Sequence, residues 1–372
     1  MYALKICFCL LLLLSACTQK KEIATECVPP EVTTLAYPVH IPKEGPATRE
    51  IDIHEIANVS YIKLDTNSDC FLPRKWRFSG IYLTEKDLFI SFGSHILRFD
   101  RNGHFLNNIG SVGGAPFEFA GGGFFSVNES REEIFLLDFV KQRMLVYNYA
   151  GKYLRSFKNE VYFDRFCVIN DSLAVCCNNN ITMEDRAFLL SLKNGKKKEV
   201  LLGKRKVDPQ HLMVNIGAFS RINKYEDLIF LCMATSDTIY AYHTTEKKLT
   251  PVYIQHPLIK NDDRIKTVPY LQFETSQYAS ILINDTPLPD FTYWLNKEDG
   301  TIAKIRLKNK EAGDYVLGWG TNRPDVLFDL LEMPKLKELQ QKNALSGELE
   351  TVVAASGEED NPILMIATLR DR

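Results

Sequence analysis

The sequence predicts an all-β fold, a six-bladed β-propeller with four-stranded antiparallel blades. Three observations carry that expectation: a repeated strand pattern, turn residues at matching places in successive repeats, and little helical periodicity. From Ile51 onward (IDIHEIANVSYIKLDT), short runs rich in Ile, Leu, Val, Phe and Tyr alternate with Asn-Gly, Asp-Gly and similar turns. Asp87–Ile109 reads as strand, turn, strand ending in an aromatic, Gly-containing turn, strand. Glu132–Phe157 repeats this unit, and Gly103 and Gly151 occupy the same turn. Asp171–Leu202 follows more loosely, turning at Gly195. Glu226–Ile254 has Thr244-Thr245 in the turn, and Phe291–Leu307 turns at Asp299-Gly300.

A spacing of roughly 45–55 residues with about four strands per unit is that of propeller blades, whose bare sheet faces are buried only by stacking on neighbours. Five copies are legible. The sixth is expected from the two chain ends, which would close the ring. The C-terminal strand Pro362–Leu369 would pair with early strands near Val59–Leu64 and Phe78–Thr84. A pair of β-sandwiches is the rival, and it predicts no regular period. One short amphipathic helix is expected at Pro334–Leu345.

The N-terminus sets the domain organisation. Lys5, the apolar run Ile6–Leu14 and then Leu14-Ser15-Ala16-Cys17 read as a signal peptide ending in a lipobox. The apolar run is too short to cross a bilayer as a helix. Residues 1–16 are therefore expected to be removed, leaving Cys17 as a lipidated N-terminus. Residues 17–50 are polar and carry Pro29, Pro30, Pro38, Pro42 and Pro46; they read as a flexible, lipid-anchored tether. The propeller domain is expected over residues 51–372. This places the protein in the cell envelope as a membrane-anchored lipoprotein.

The formal net charge is -2, with 25% charged residues and neither a basic block nor an acidic tail. That excludes an obvious nucleic-acid footprint. Lys196-Lys197-Lys198, after Asn194-Gly195, reads as a solvated hairpin tip. Beyond Cys17, six cysteines remain after cleavage, and Cys176-Cys177 are adjacent in an apolar segment. Neighbours on a strand face opposite ways, so Cys167, Cys176, Cys177 and Cys232 read mainly as small core residues. No CxxC, HxH or HExxH spacing is present, and no metal or cofactor is expected.

Three segments carry a family resemblance: Val59–Thr66 (VSYIKLDT), Ile109–Phe119 (IGSVGGAPFEF) and Glu359–Leu369 (EDNPILMIATL). Together they resemble the six-bladed propeller lipoproteins of gut Bacteroidetes, which are NHL-like or TolB-like. The family's loop after the first blade has the form IG-x-x-G-x-GPGE-aromatic. Gly110, Gly113, Pro116, Glu118 and Phe119 match it, while Ala115 and Phe117 stand where glycines are usual. The resemblance implies a lipid-anchored envelope protein, at the outer membrane in this reading. Thr18-Gln19-Lys20-Lys21-Glu22 lacks the acidic pair that often accompanies surface export in such lipoproteins. Periplasmic and surface-facing orientations both stay open.

Two segments are candidates for ligand contact. The Gly-rich stretch Gly110–Gly123 could approach an anion with its amides, with Gly113, Gly114, Glu118 and Phe119 as contact residues. It holds no Lys or Arg and lacks phosphate-loop spacing; an inter-blade connection is its plainer reading. The excursion Gly313–Asp329 carries Trp319 and Arg323, a pairing suited to sugar or peptide. Its plainer reading has Trp319 over a blade edge and Arg323 paired with Asp325 or Asp329. No nucleophile elbow or sialidase-type Asp box is present, and a carboxylate pair for glycosidic chemistry is defined by its separation in the fold. The expected function is a non-catalytic binding or docking module for a glycan, peptide or protein partner. The alternative is a polysaccharide lyase or hydrolase with its site at the channel mouth.

Overall fold

The computed structural model describes residues 37–40, 47–72, 78–93, 95–121, 124–178, 185–203, 221–233, 236–256, 268–284, 291–316 and 318–370. Six antiparallel sheets form the ring of a six-bladed propeller. Blade 1 is Phe78–Leu83, Asp87–Phe92, His95–Asp100 and Phe105–Asn108. Blade 2 is Phe125–Asn128, Glu133–Asp138, Arg143–Asn148 and Tyr153–Lys158. Blade 3 is Arg165–Val168, Leu173–Cys177, Asp185–Ser191 and Lys197–Gly203. Blade 4 is Arg221–Tyr225, Leu228–Cys232, Thr238–His243 and Lys248–His256. Blade 5 is Val268–Glu274, Tyr278–Asn284, Thr292–Asn296 and Ile302–Asn309. The first strands of blades 2 and 3, of blades 3 and 4, and of blades 5 and 6 touch one another, which places them around the axis.

Blade 6 closes the ring from both chain ends. Trp319–Gly320, Val326–Leu331 and Ile363–Leu369 supply three strands, and Ala57–Lys63 supplies the outer one. The closing register runs from Ile363↔Lys63 to Leu369↔Ala57. The expected pairing near Val59–Leu64 is therefore present, whereas that with Phe78–Thr84 is not. Phe78–Leu83 pairs with Asp87–Phe92 and opens blade 1; the C-terminal strand has only two edges, and both are taken within blade 6.

Part of the stretch expected as a tether is sheet. Tyr37–His40 lies parallel on Lys248–His256, and Arg49–Asp52 lies parallel on Ile302–Asn309. Both add to the outer strands of blades 4 and 5, whose edges would otherwise expose unpaired amides and carbonyls. Cys17 and Cys27 lie outside the described residues.

The blade period has a direct packing cause. Six apolar clusters form the core, and each is drawn from two neighbouring blades. A sheet buried on both faces must be apolar at odd and even positions alike. Cys176 and Cys177 show this: Cys176 joins the blade 2–3 cluster and its neighbour joins the blade 3–4 cluster. All five described cysteines are buried and free. The glycine turns have a second cause. Gly103, Gly151 and Gly195 each have positive φ, and a Cβ on each would overlap the backbone carbonyl of Lys63, Asn108 or Lys158 respectively. Those carbonyls close the outer strand of the preceding blade. The turns are thus inter-blade contacts as well as hairpins.

The expected helix is present as Met333–Gln341, with proline in its first turn. A second helix, Gly347–Ala354, was not anticipated; Leu349 and Val353 bury it against the blade 5–6 cluster. Of the lysine run, Lys196 lies in the hairpin turn, where Ser191 N donates to its O at 2.9 Å, whereas Lys197 and Lys198 open the outer strand and Lys197 pairs with Asp185.

Candidate ligand site on the propeller axis

The innermost strands run in one direction, so the ring has a strand-start end and a turn end. At the strand-start end, Arg221 opens the first strand of blade 4 and Trp319 opens that of blade 6. The Arg221 guanidinium lies 4.6 Å from the Trp319 ring centroid and 5.0 Å from that of Tyr270 on blade 5. Blades 4 and 6 are not neighbours, so this contact places both side chains inside the ring. Gly320 makes the approach possible: a Cβ there would overlap Gln272 O of blade 5.

Arg221 is half-buried. Among the described residues its contacts are the two rings, and neither a carboxylate nor a hydrogen-bond acceptor meets it. Burial lowers its pKa from the usual arginine value, although a guanidinium keeps its proton in proteins. Ring faces attract a desolvated cation by up to about 2 kcal/mol. That leaves the five N–H donors of the guanidinium unused.

A second guanidinium stands on blade 3. Arg165 opens that blade's first strand and lies 3.5 Å from the Phe124 ring centroid. Its Nη1 donates to Asp164 O at 2.8 Å. Burial lowers its pKa, the neighbouring Asp164 carboxylate opposes that, and the positive charge of Arg221 adds a smaller lowering. The two arginines occupy equivalent places, facing Cys177 and Cys232 across their sheets. Burial pushes the Cys232 thiol up to about 11, so it is a packing group rather than a nucleophile.

The turn end is closed by paired groups. Arg323 Nη2 reaches Glu129 Oε2 at 3.5 Å, from blade 6 past blade 1 to blade 2. Tyr82 OH donates to Glu129 Oε1 at 3.0 Å. Asn322 accepts from Leu83 N at 2.7 Å and donates to Leu83 O at 2.9 Å. Asn128 Nδ2 donates to Asp171 at 2.8 Å, and Lys224 Nζ donates to Val168 O at 3.1 Å. Trp319 and Arg323 therefore face different ends, and the arginine's partner is Glu129 rather than Asp325 or Asp329.

The Gly-rich loop is clamped onto blade 2. Arg143 donates to Pro116 O at 2.7 Å and Glu118 O at 2.5 Å, while its Nε meets buried Asp138 at 3.1 Å. Tyr147 OH donates to Phe117 O at 2.7 Å. Lys141 Nζ faces the carbonyls of Gly113 and Gly114, both at 3.5 Å. Glu118 turns back to accept from Ala115 N at 2.8 Å, and Gly113 leaves room for that carboxylate. Phe119 is buried in the blade 1–2 cluster. These four residues hold the loop in place, and the linker's contribution to the axis is Phe124.

Sequence reasoning singled out Trp319 at this end but missed Arg165, Arg221, Tyr270 and Phe124. The missed signal is repeat phase: both arginines open the first strand of a blade. Among the described residues, no group of three or more His, Cys, Asp or Glu is arranged to hold a metal ion.

A family model described as "Domain of unknown function (DUF4934)" matches residues 47–368. No curated protein matches the sequence. Among solved structures, the chain is similar to a protein of Bacteroides fragilis NCTC 9343 described as exported. The identity is 15% and the TM-score 0.70, over 91% of this chain and 99% of that one. It is also similar to a DUF4221 family member from Bacteroides vulgatus ATCC 8482, with 11% identity and a TM-score of 0.46, over 85% of this chain and 97% of that one. At such identities the likeness is one of fold.

Proposed function

The chain belongs to the DUF4934 family of domains of unknown function, and we propose that it is an exported, non-catalytic binding module. Its ligand, a glycan or peptide, enters at the strand-start end of the axis. The observation that carries this reading is the Trp319–Arg221–Tyr270 cluster, built by three blades from two aromatic rings and one guanidinium. Aromatic faces and an arginine are the groups that anchor ligands at recognition surfaces. Of the blade-edge carboxylates, Asp138 is engaged with Arg143 and Asp185 with Lys197, Glu118 turns back on its own loop, and Asp164 lies buried beside Arg165. The N-terminal pattern ending at Cys17 supports an envelope lipoprotein, the resemblance carried by Val59–Thr66, Ile109–Phe119 and Glu359–Leu369 supports an NHL-like type, and the likeness to a protein described as exported agrees with export.

Affinity electrophoresis of the mature chain in gels containing dextran, xylan, polygalacturonate or chondroitin sulfate tests the glycan form of this reading. Retardation is expected in at least one gel, and Trp319→Ala should weaken it about 5- to 10-fold. Equal retardation of the two proteins would remove the axial end from the binding function. Release of new reducing ends or unsaturated products would replace it with the lyase or hydrolase alternative.

A further inference from the structure

We infer that the axial site is an anion-recognition site, and that its ligand is an acidic polysaccharide whose carboxylate or sulfate oxygens dock on Arg221. This rests on the binding reading above and narrows it to one chemical class. Arg221 lies between the rings of Trp319 and Tyr270, with no acceptor among the described residues for its N–H groups. Ring faces balance part of its charge but leave its in-plane donors unused. A carboxylate or sulfate fits that vacancy, because its oxygens accept two parallel N–H bonds from the planar fork.

The second arginine strengthens the inference. Arg165, from the neighbouring blade, places another positive charge close enough to act on the first, and its ring partner Phe124 stands beside the same axis. The carboxylate of Asp164 offsets part of the charge of Arg165, while Arg221 has only ring faces against it. An anion entering there meets the guanidinium of Arg221. At the turn end Arg131 and Arg323 are matched to Asp171, Glu133 and Glu129, and Arg101 adds a further positive charge beside Arg323. A chain of uronic acid or sulfated sugars suits the pair better than a lone anion. Its charges recur along the backbone, and pyranose faces can pack on the exposed part of Trp319.

Calorimetric titration of the mature chain with trigalacturonate, a chondroitin sulfate tetrasaccharide and neutral maltotriose decides the matter. At least one acidic probe should bind, weaken as salt rises, and exceed maltotriose by 10-fold or more. Binding to only one of the two acidic probes distinguishes carboxylate from sulfate recognition. Arg221→Gln should lower the affinity about 10- to 100-fold, with a smaller loss for Arg221→Lys, which keeps charge but not the fork. Arg323→Gln, at the turn end, should bind like the parent. A melting temperature of Arg221→Gln at or above that of the parent separates a ligand group from a structural one. A lower melting temperature with parallel loss of binding would assign Arg221 to the fold and overturn the inference. So would equal binding of maltotriose, which would leave the broader binding reading standing. Failure of both acidic probes to bind at millimolar concentration would also overturn it.

Discussion

Gly151 and Gly300 occupy matching turns, between the third and fourth strands of blades 2 and 5, and their φ values are +77° and +72°. Alanine at either position pays the cost of a left-handed conformation, about 1–2 kcal/mol. The surroundings differ. A Cβ at Gly300 meets nothing within 4 Å, whereas at Gly151 it overlaps Asn108 O and lies 3.2 Å from Asn107 Nδ2. Asn108 ends the outer strand of blade 1, so its carbonyl moves only if blades 1 and 2 part. Overpacking of that kind adds about 1–3 kcal/mol. Gly151→Ala should therefore destabilise by about 2–5 kcal/mol, against about 1–2 kcal/mol for Gly300→Ala. Urea unfolding of the two variants beside the parent measures the difference as a midpoint shift at constant slope. Equal midpoints would refute the argument that the repeated glycine is an inter-blade contact. Gly195→Ala, aimed at Lys158 O, should follow Gly151→Ala.

Glu133 accepts from Arg155 Nη1 and Nη2 at 2.7 and 2.8 Å, and these bonds hold its carboxyl below the usual 4.5 despite burial. With the folded value depressed, the contribution is full above the unfolded value and is lost as pH falls through the folded one. Glu133→Gln should be less stable near neutrality by about 1–2 kcal/mol, since Arg155 is partly exposed. Its stability should also fall less steeply below pH 4.5 than the parent's; parallel profiles would refute the pairing. Asn361 accepts from Leu72 N at 2.7 Å and donates to Asp65 O at 2.7 Å and Cys70 O at 2.9 Å. Asn361→Ala strands three buried or half-buried backbone groups, so a loss of about 3 kcal/mol or more is expected in the same urea assay. A loss under about 1 kcal/mol would show that the blade 6–1 linker does not depend on this residue.

The parts of the fold legible in the sequence were those fixed by neighbours along the chain. Gly103, Gly151 and Gly195 mark hairpins whose strands flank them directly, and Ile363–Leu369 is a continuous apolar run that a closing strand must be. The parts that were not legible depend on distant partners. Tyr37–His40 and Arg49–Asp52 are short and sit among prolines, so only the edges of blades 4 and 5 make them strands. The same holds for the axis. Trp319 was visible as an aromatic in a long excursion, but nothing local pairs it with Arg221. Nor does any local pattern match Arg323 to Glu129 in preference to the nearer Asp325 and Asp329. The hold on the Gly-rich loop was equally hidden, because its carbonyls are met by Arg143, Tyr147 and Lys141 from blade 2.

Stability explains most of the polar groups near the axis, and it fails at one of them. The propeller spends its apolar side chains on six inter-blade clusters, so polar chemistry is pushed to the ends of the axis. At the turn end Glu129 faces Arg323, Asp171 faces Arg131 and backbone carbonyls take Lys224, while Arg101 feels the like charge of Arg323. At the strand-start end Arg221 is desolvated against Tyr270 and Trp319 without such a counterpart. A glutamine or methionine would fill the same space with no charge to desolvate, and a fold selected for stability alone has no use for the guanidinium. The residue that the fold explains least is therefore the one that function has to explain.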